Sequence, residues 1–164
     1  SHATFKCMFD MLVAPVMDYS APIWGATKYD FCSTTQHRAM RTFLGVGKCT
    51  PIPAIYGDLQ WTTPFTRHRV AVVRYWCRLA RMPRSRLTKR VFEWDHDLAT
   101  RGRRSWNKEV KAILELSGIG EVFERDNWHR RSVDSVVTQV HRKLTQCDQQ
   151  QRSADALTMS RMRL

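Results

Sequence analysis

Nine cationic side chains lie between Asp58 and Glu93 with no carboxylate among them: Arg67, Arg69, Arg74, Arg78, Arg81, Arg84, Arg86, Lys89 and Arg90. Counted from Arg67, the residues Arg74, Arg78 and Arg81 fall at +7, +11 and +14. At roughly 100° per residue that spacing puts all four on one stripe of a helix. Val72, Tyr75, Trp76 and Leu79 take the opposite side, as an amphipathic helix requires. A planar guanidinium donates two parallel hydrogen bonds, so a row of them suits phosphates or carboxylates. A solvated helix face ordinarily mixes signs, and this one does not.

Aromatic residues interleave with cations at three places. These are Arg74-Tyr75-Trp76, Trp106 beside Arg103 and Arg104, and Trp128 beside His129, Arg130 and Arg131. Such pairs can stack on bases while the cations neutralise phosphates, each stack contributing roughly 1–3 kcal/mol. Helical phase directs Tyr75 and Trp76 to the core, which leaves Trp106 and Trp128 as the base-stacking candidates.

Other chemistry is missing. The sequence holds no Gly-rich phosphate loop, no GxSxG, no HExxH and no zinc-spaced Cys/His set. Metal-dependent phosphoryl transfer needs converging carboxylates. The fifteen Asp and Glu residues are instead dispersed, and Glu93, Asp95 and Asp97 alternate too quickly to share a helical face. Asp95, His96 and Asp97 are adjacent and diverge on a helix, so no metal site is expected there. The reading is no active site on this chain, no cofactor and no metal.

The elements that must position these residues follow from composition and periodicity. A chain of 164 residues that is 43% hydrophobic can bury a core, and its six Trp and seven Phe argue against disorder. A net charge of +12 favours a polyanionic partner: nucleic acid, an anionic membrane or an acidic protein surface. With no run of eighteen apolar residues, no membrane span is expected. Five scattered cysteines without a CxxC pair suggest reduced thiols, several of them buried, in an intracellular protein, nuclear or cytoplasmic. The Ser1-His2 start without Met suggests a piece of a larger chain or assembly.

Phe5, Met8, Phe9, Leu12 and Val13 predict a helix with a strongly apolar inner face, ended or kinked by Pro15. Asp30 is placed to cap a helix carrying Phe31, Ala39, Phe43 and Leu44 inward to Gly45 or Gly47. Thr50-Pro51 and Thr63-Pro64 are cap-plus-N1 signatures. The first opens a short helix closing near Gly57. The second opens the Arg-striped helix, which Met82-Pro83 terminates. Ser85 is expected to cap a helix through Leu87, Val91, Phe92 and Leu98, and Ser105 one through Val110, Ile113 and Leu114 to Gly118 and Gly120. Val133, Val136, Val137, Val140 and Leu144 form a last helical stripe. No segment alternates with period two. The prediction is an all-α, irregular bundle of seven or eight helices. The Arg101–Ser105 loop is the candidate boundary between a region at 1–100, with the basic helix, and a region at 101–164.

A resemblance sharpens the functional expectation. Leu12-Val13-Ala14-Pro15-Val16-Met17-Asp18-Tyr19 with Ile23-Trp24-Gly25 is similar to the segment just after the polymerase core in non-LTR, LINE-like retrotransposon reverse transcriptases. Phe43-Leu44-Gly45-Val46, Lys48-Cys49-Thr50-Pro51 and Ala54-Ile55-Tyr56-Gly57-Asp58-Leu59 resemble that family's "RFLGV-x-K-x-TP…A-x-YG-E-L" series. Arg67 to Leu79, with Tyr75-Trp76, resembles its basic "YW" helix. Ser105-Trp106 and the closing Ser160-Arg161-Met162-Arg163-Leu164 are looser matches. Tyr19-Ser20 stands where the family has Tyr-Gly, and Arg152 where it has Trp. The family's catalytic "ADD" turn has no counterpart. The resemblance implies the helical thumb region, which cradles the RNA or RNA/DNA template–primer by its backbone, in a retroelement protein or a domesticated descendant.

The expectation is grip without catalysis. Arg67, Arg74, Arg78 and Arg81 would contact successive phosphates, with Arg84 and Arg86 beside them. Arg101, Arg103 and Arg104 would add a second contact, and Trp106 and Trp128, flanked by Arg130 and Arg131, would supply stacking. Low sequence specificity follows, because phosphates carry no base information. The alternative is an adaptor module whose arginines meet the carboxylates of an acidic protein assembly.

Overall fold

The computed structural model describes residues 1–161, and every regular element among them is helical. In chain order these are α1 (His2–Met8), a π turn (Phe9–Val13), α2 (Ala14–Met17), α3 (Ala21–Trp24), α4 (Asp30–Leu44), α5 (Ile52–Leu59), α6 (Pro64–Ala80), α7 (Leu87–Thr100), α8 (Trp106–Leu116) and α9 (Val133–Arg161). Two short 3₁₀ turns precede α9. The π turn joins α1 to α2 without a break, so an irregular bundle of eight helices results among the described residues. Met162, Arg163 and Leu164 of the closing motif lie outside them.

Helix α6 is the centre. Thr63 caps it by accepting from the Thr66 amide at 3.1 Å, with Pro64 at the first helical position. The hydroxyls of Thr63 and Thr66 both donate to Asp148 of α9 at 2.7 Å, which brings a carboxylate to the helix N-terminus and fastens the two longest helices together. Val72, Val73, Trp76, Cys77, Leu79 and Ala80 of α6 are buried, and Trp76 packs against Phe92, Phe123 and Trp128. Its indole donates to Asn107 at 2.7 Å, so the largest core side chain keeps its polar atom satisfied. Val110, Ile113, Leu114, Val136, Val140 and Leu144 complete this cluster. A second cluster gathers Phe9, Met17, Cys32, Met40, Ile55, Tyr56, Leu59 and Trp61. The loop at 101–105 connects α7 and α8, both of which pack in the α6 cluster.

Several boundaries and faces differ from the sequence reading. Of the two expectations for Pro15, an end or a distortion of its helix, the structure shows the second. A proline removes one donor and crowds the carbonyl four residues back, and the chain answers by widening to a π turn in which the Ala14 amide donates to Phe9 O. Met8, Leu12 and Val13 are exposed and only Phe9 of that set is buried. Asp30 lies in the first turn of α4 with Tyr29 at the cap position, and Phe31 points outward while Cys32, Gln36 and Met40 point in. Helix α5 passes through Gly57 and stops at Gln60, whose φ is 52°. Arg86, not Ser85, takes the cap position of α7, and Leu87 and Val91 are exposed.

Gly25 marks a close approach of the N-terminal segment to α6. A Cβ there would stand 2.7 Å from Cβ of His68 and 2.5 Å from the Ala21 carbonyl oxygen. Gly25→Ala is therefore expected to destabilise the fold by about 1–3 kcal/mol through overpacking. Urea unfolding measures this, and an unchanged midpoint would show that α3 can move away freely.

Candidate nucleic-acid interface

The predicted azimuth of the arginine stripe is met only in its middle. Arg74 and Arg78 are exposed. At the N-terminal end, Arg67 is half-buried: Nε and Nη2 donate to the two oxygens of Asp18 at 3.1 and 3.2 Å, and Nη1 donates to Gln36 Oε1 at 2.8 Å. At the C-terminal end, Arg81 Nε donates to the carbonyl of Trp128 at 3.2 Å and Nη2 to that of Arg131. Arg67 and Arg81 are thus committed to their own chain, and two of the four expected phosphate contacts are withdrawn. Helical phase fixed the side of α6 they emerge from, but other segments cover that side at both ends.

The remaining cations sort in the same way. Lys89 is 3% exposed; its ammonium donates to the Ala80 carbonyl at the end of α6 and lies 4.1 Å from the Trp128 ring centroid. Burial pulls its pKa down, an effect that Glu93 partly opposes. Arg69 lies over Phe65 at 4.0 Å. Arg84 Nε pairs with Glu93 at 3.1 Å but stays largely exposed, and such a surface pair is weak enough to exchange for another anion. Arg86 is exposed at the start of α7, as is Arg90. Arg101, Arg103 and Arg104 are exposed on the loop before α8, where Lys108 donates to Gly102 O at 2.9 Å. Among the described residues no carboxylate lies within ion-pair distance of Arg74, Arg78, Arg86, Arg90, Arg101, Arg103 or Arg104.

The stacking candidates are corrected too. Trp128 is a core residue: 7% exposed, packed on Trp76, Phe92 and His96, its indole donating to Phe123 O at 3.0 Å. It cannot receive a base. Trp106 is half-buried edge-on to Tyr75, so at most one side of it is accessible. Arg130 is exposed, and Arg131 approaches Glu121 at 3.8 Å. The exposed tryptophan on this side of the molecule is Trp94, 63% accessible, which lies outside the three aromatic–cation runs of the sequence. A signal for it existed: Leu87, Val91, Trp94 and Leu98 repeat at i, i+4, i+7 and i+11, a second apolar stripe on a helix that already buries Phe92, His96 and Ala99.

Asp95, His96 and Asp97 diverge. Asp95 accepts from the backbone and side-chain nitrogens of Asn107 at 2.8 Å each, His96 Nε2 meets Phe123 O at 3.0 Å, and Asp97 pairs with Arg125. No group of three or more His, Cys, Asp or Glu residues among the described residues is arranged to hold a metal ion. No described helix is long and apolar enough to cross a membrane. Comparison of the chain with protein-family models, with curated proteins and with solved structures finds no significant match.

Burial alone would raise the Asp18 carboxyl, but hydrogen bonds from His68 and Arg67, together with the Arg67 charge, outweigh it and hold the pKa below the ordinary carboxylate value. A depressed folded-state pKa adds stability that is present above the unfolded value and disappears as pH falls through the folded one. The drop in urea midpoint between about pH 7 and about pH 3 should therefore be smaller in Asp18→Asn than in the wild type. Equal drops would remove Asp18 from the acid response. Trp128→Ala should cost about 3–5 kcal/mol in the same assay, as a large core truncation does. A loss below 1 kcal/mol would return Trp128 to the surface candidates.

Proposed function

We propose that this chain is a non-catalytic helical module that grips the sugar–phosphate backbone of RNA or an RNA/DNA duplex, as the thumb region of a reverse-transcriptase-like protein would. The observation that carries the reading is the set of exposed arginines left without a carboxylate. Arg74 and Arg78 project from the rigid central helix, Arg86 and Arg90 from the start of α7, and Arg101, Arg103 and Arg104 from the loop that follows it. Each guanidinium can bridge two oxygens of one phosphate, and the rigid helix holds a pair of them in fixed register. Four half-buried carboxylates, Asp18, Glu93, Asp95 and Asp148, are held by groups of the fold itself, and the exposed carboxylates lie beyond ion-pair distance of these arginines. No base-reading constellation accompanies these cations, so binding is expected to depend on backbone charge more than on sequence.

Reversing Arg74 and Arg78 to Glu should abolish binding of a short RNA/DNA hybrid at about 0.1 M salt while leaving helicity intact, since neither side chain holds the fold together. Milder Arg→Gln changes should each flatten the log–log salt dependence by roughly 0.7–0.9. Reversing Arg101, Arg103 and Arg104 together should weaken the same complex. Filter binding and circular dichroism read both quantities. Unchanged affinity in the Arg74/Arg78 double variant would end the proposal.

A further inference from the structure

We infer that the groove between α3 and α7 is a docking site for an acidic amphipathic helix of a partner protein. Ile23 of α3 stands on one side, 58% exposed, and Val91 and Trp94 of α7 on the other, 55% and 63% exposed; Tyr75, Leu79 and Trp106 line it between them. Its volume is about 380 Å³, within the range that receives several apolar side chains. Leu87, one turn before Val91 and also exposed, extends the apolar wall along α7. A wall with anchors at i, i+4 and i+7 is matched by a helix carrying the same spacing, the helix-in-groove mode.

The rim supplies the charge of the occupant. Arg78 follows the lining residue Tyr75 by three positions on α6, with Arg74 one turn before it, and Arg90 precedes the lining residue Trp94 by four on α7. None has a carboxylate within ion-pair distance among the described residues. The one carboxylate in the groove, Asp95, has its Oδ2 taken up by Asn107. An apolar floor with an uncompensated cationic rim complements apolar anchors flanked by Glu or Asp. A second copy of this chain is the wrong occupant, because a protein of net charge +12 would bring like charge to like. The rim arginines are shared with the proposed backbone contacts, whereas the apolar wall contributes nothing to a phosphate contact and the arginines at 101, 103 and 104 take no part in the groove.

The probe is a fluorescein-labelled synthetic helix of about four turns with Leu at i, i+4 and i+7 and Glu at the flanking positions, compared with a scrambled peptide of equal composition. Anisotropy should show saturable binding of the patterned peptide only. Val91→Asp, a change at an exposed position, should weaken it about tenfold or more while RNA/DNA hybrid affinity stays at the wild-type level. Trp94→Ala should weaken peptide binding as well, and Arg78→Gln should reduce its salt dependence. Equal binding of the patterned and scrambled peptides would overturn the inference. So would a Val91→Asp protein that loses hybrid binding in parallel with peptide binding, which would give the groove to nucleic acid. A wild-type dimer in sedimentation that Val91→Asp dissociates would give the groove to a second copy and would equally overturn it.

Discussion

The Asp18 carboxylate joins the N-terminal cluster to the central helix. It lies at the turn after α2, receives two hydrogen bonds from Arg67, and stands 2.7 Å from His68 Nε2. Behind Arg67, the fully buried Gln36 of α4 accepts from the guanidinium and donates to the Thr62 carbonyl at 2.9 Å and the Tyr56 hydroxyl at 3.3 Å. Burial pushes the Tyr56 hydroxyl up to about 12, so that link stays protonated across ordinary conditions. Removing one member would leave a buried charge or amide without a partner, which costs more than the net gain of the bond itself. Four segments are therefore held to one end of α6 by polar atoms rather than by apolar area.

This joint has a direct consequence for the surface. Arg67 cannot serve both Asp18 and an external phosphate, and Arg81 cannot leave the carbonyls of residues 128 and 131 without freeing the loop before α9. The ends of α6 are structural and its middle is available. The same division appears on α7, where Lys89 is drawn inward to the last carbonyl of α6 while Arg86 and Arg90 stay outside. Positive charge on this protein is partitioned by packing: part of it closes the fold, part pairs with surface carboxylates, and Arg74, Arg78, Arg86 and Arg90 lie outside with no carboxylate in ion-pair distance among the described residues.

The helical periods were legible because each depends on neighbours within about two turns. The Thr63-Pro64 start of α6, the Ser105 cap of α8, with Ser105 Oγ accepting from the Lys108 amide, and the Val136–Val140–Leu144 stripe of α9 needed only local chemistry to be read. The left-handed stop at Gly45, φ 67°, belongs to the same class. Leu12 and Val13 lie outside the face expected of them because the chain ahead of Pro15 widens to a π turn, and a turn of different pitch rotates the side chains within and after it.

Local pattern alone established an all-helical chain with an excess of arginine on one side of its central helix, since helix phase and charge are properties of residues close in sequence. Tertiary packing alone decided which of those arginines reach solvent, that Trp128 belongs to the core, and that Val91 and Trp94 face Ile23 across an open groove. The reason is distance along the chain. Arg67 meets Asp18, Arg81 meets residue 131 and Lys89 meets Trp128, and no periodicity records a partner some forty or fifty residues away.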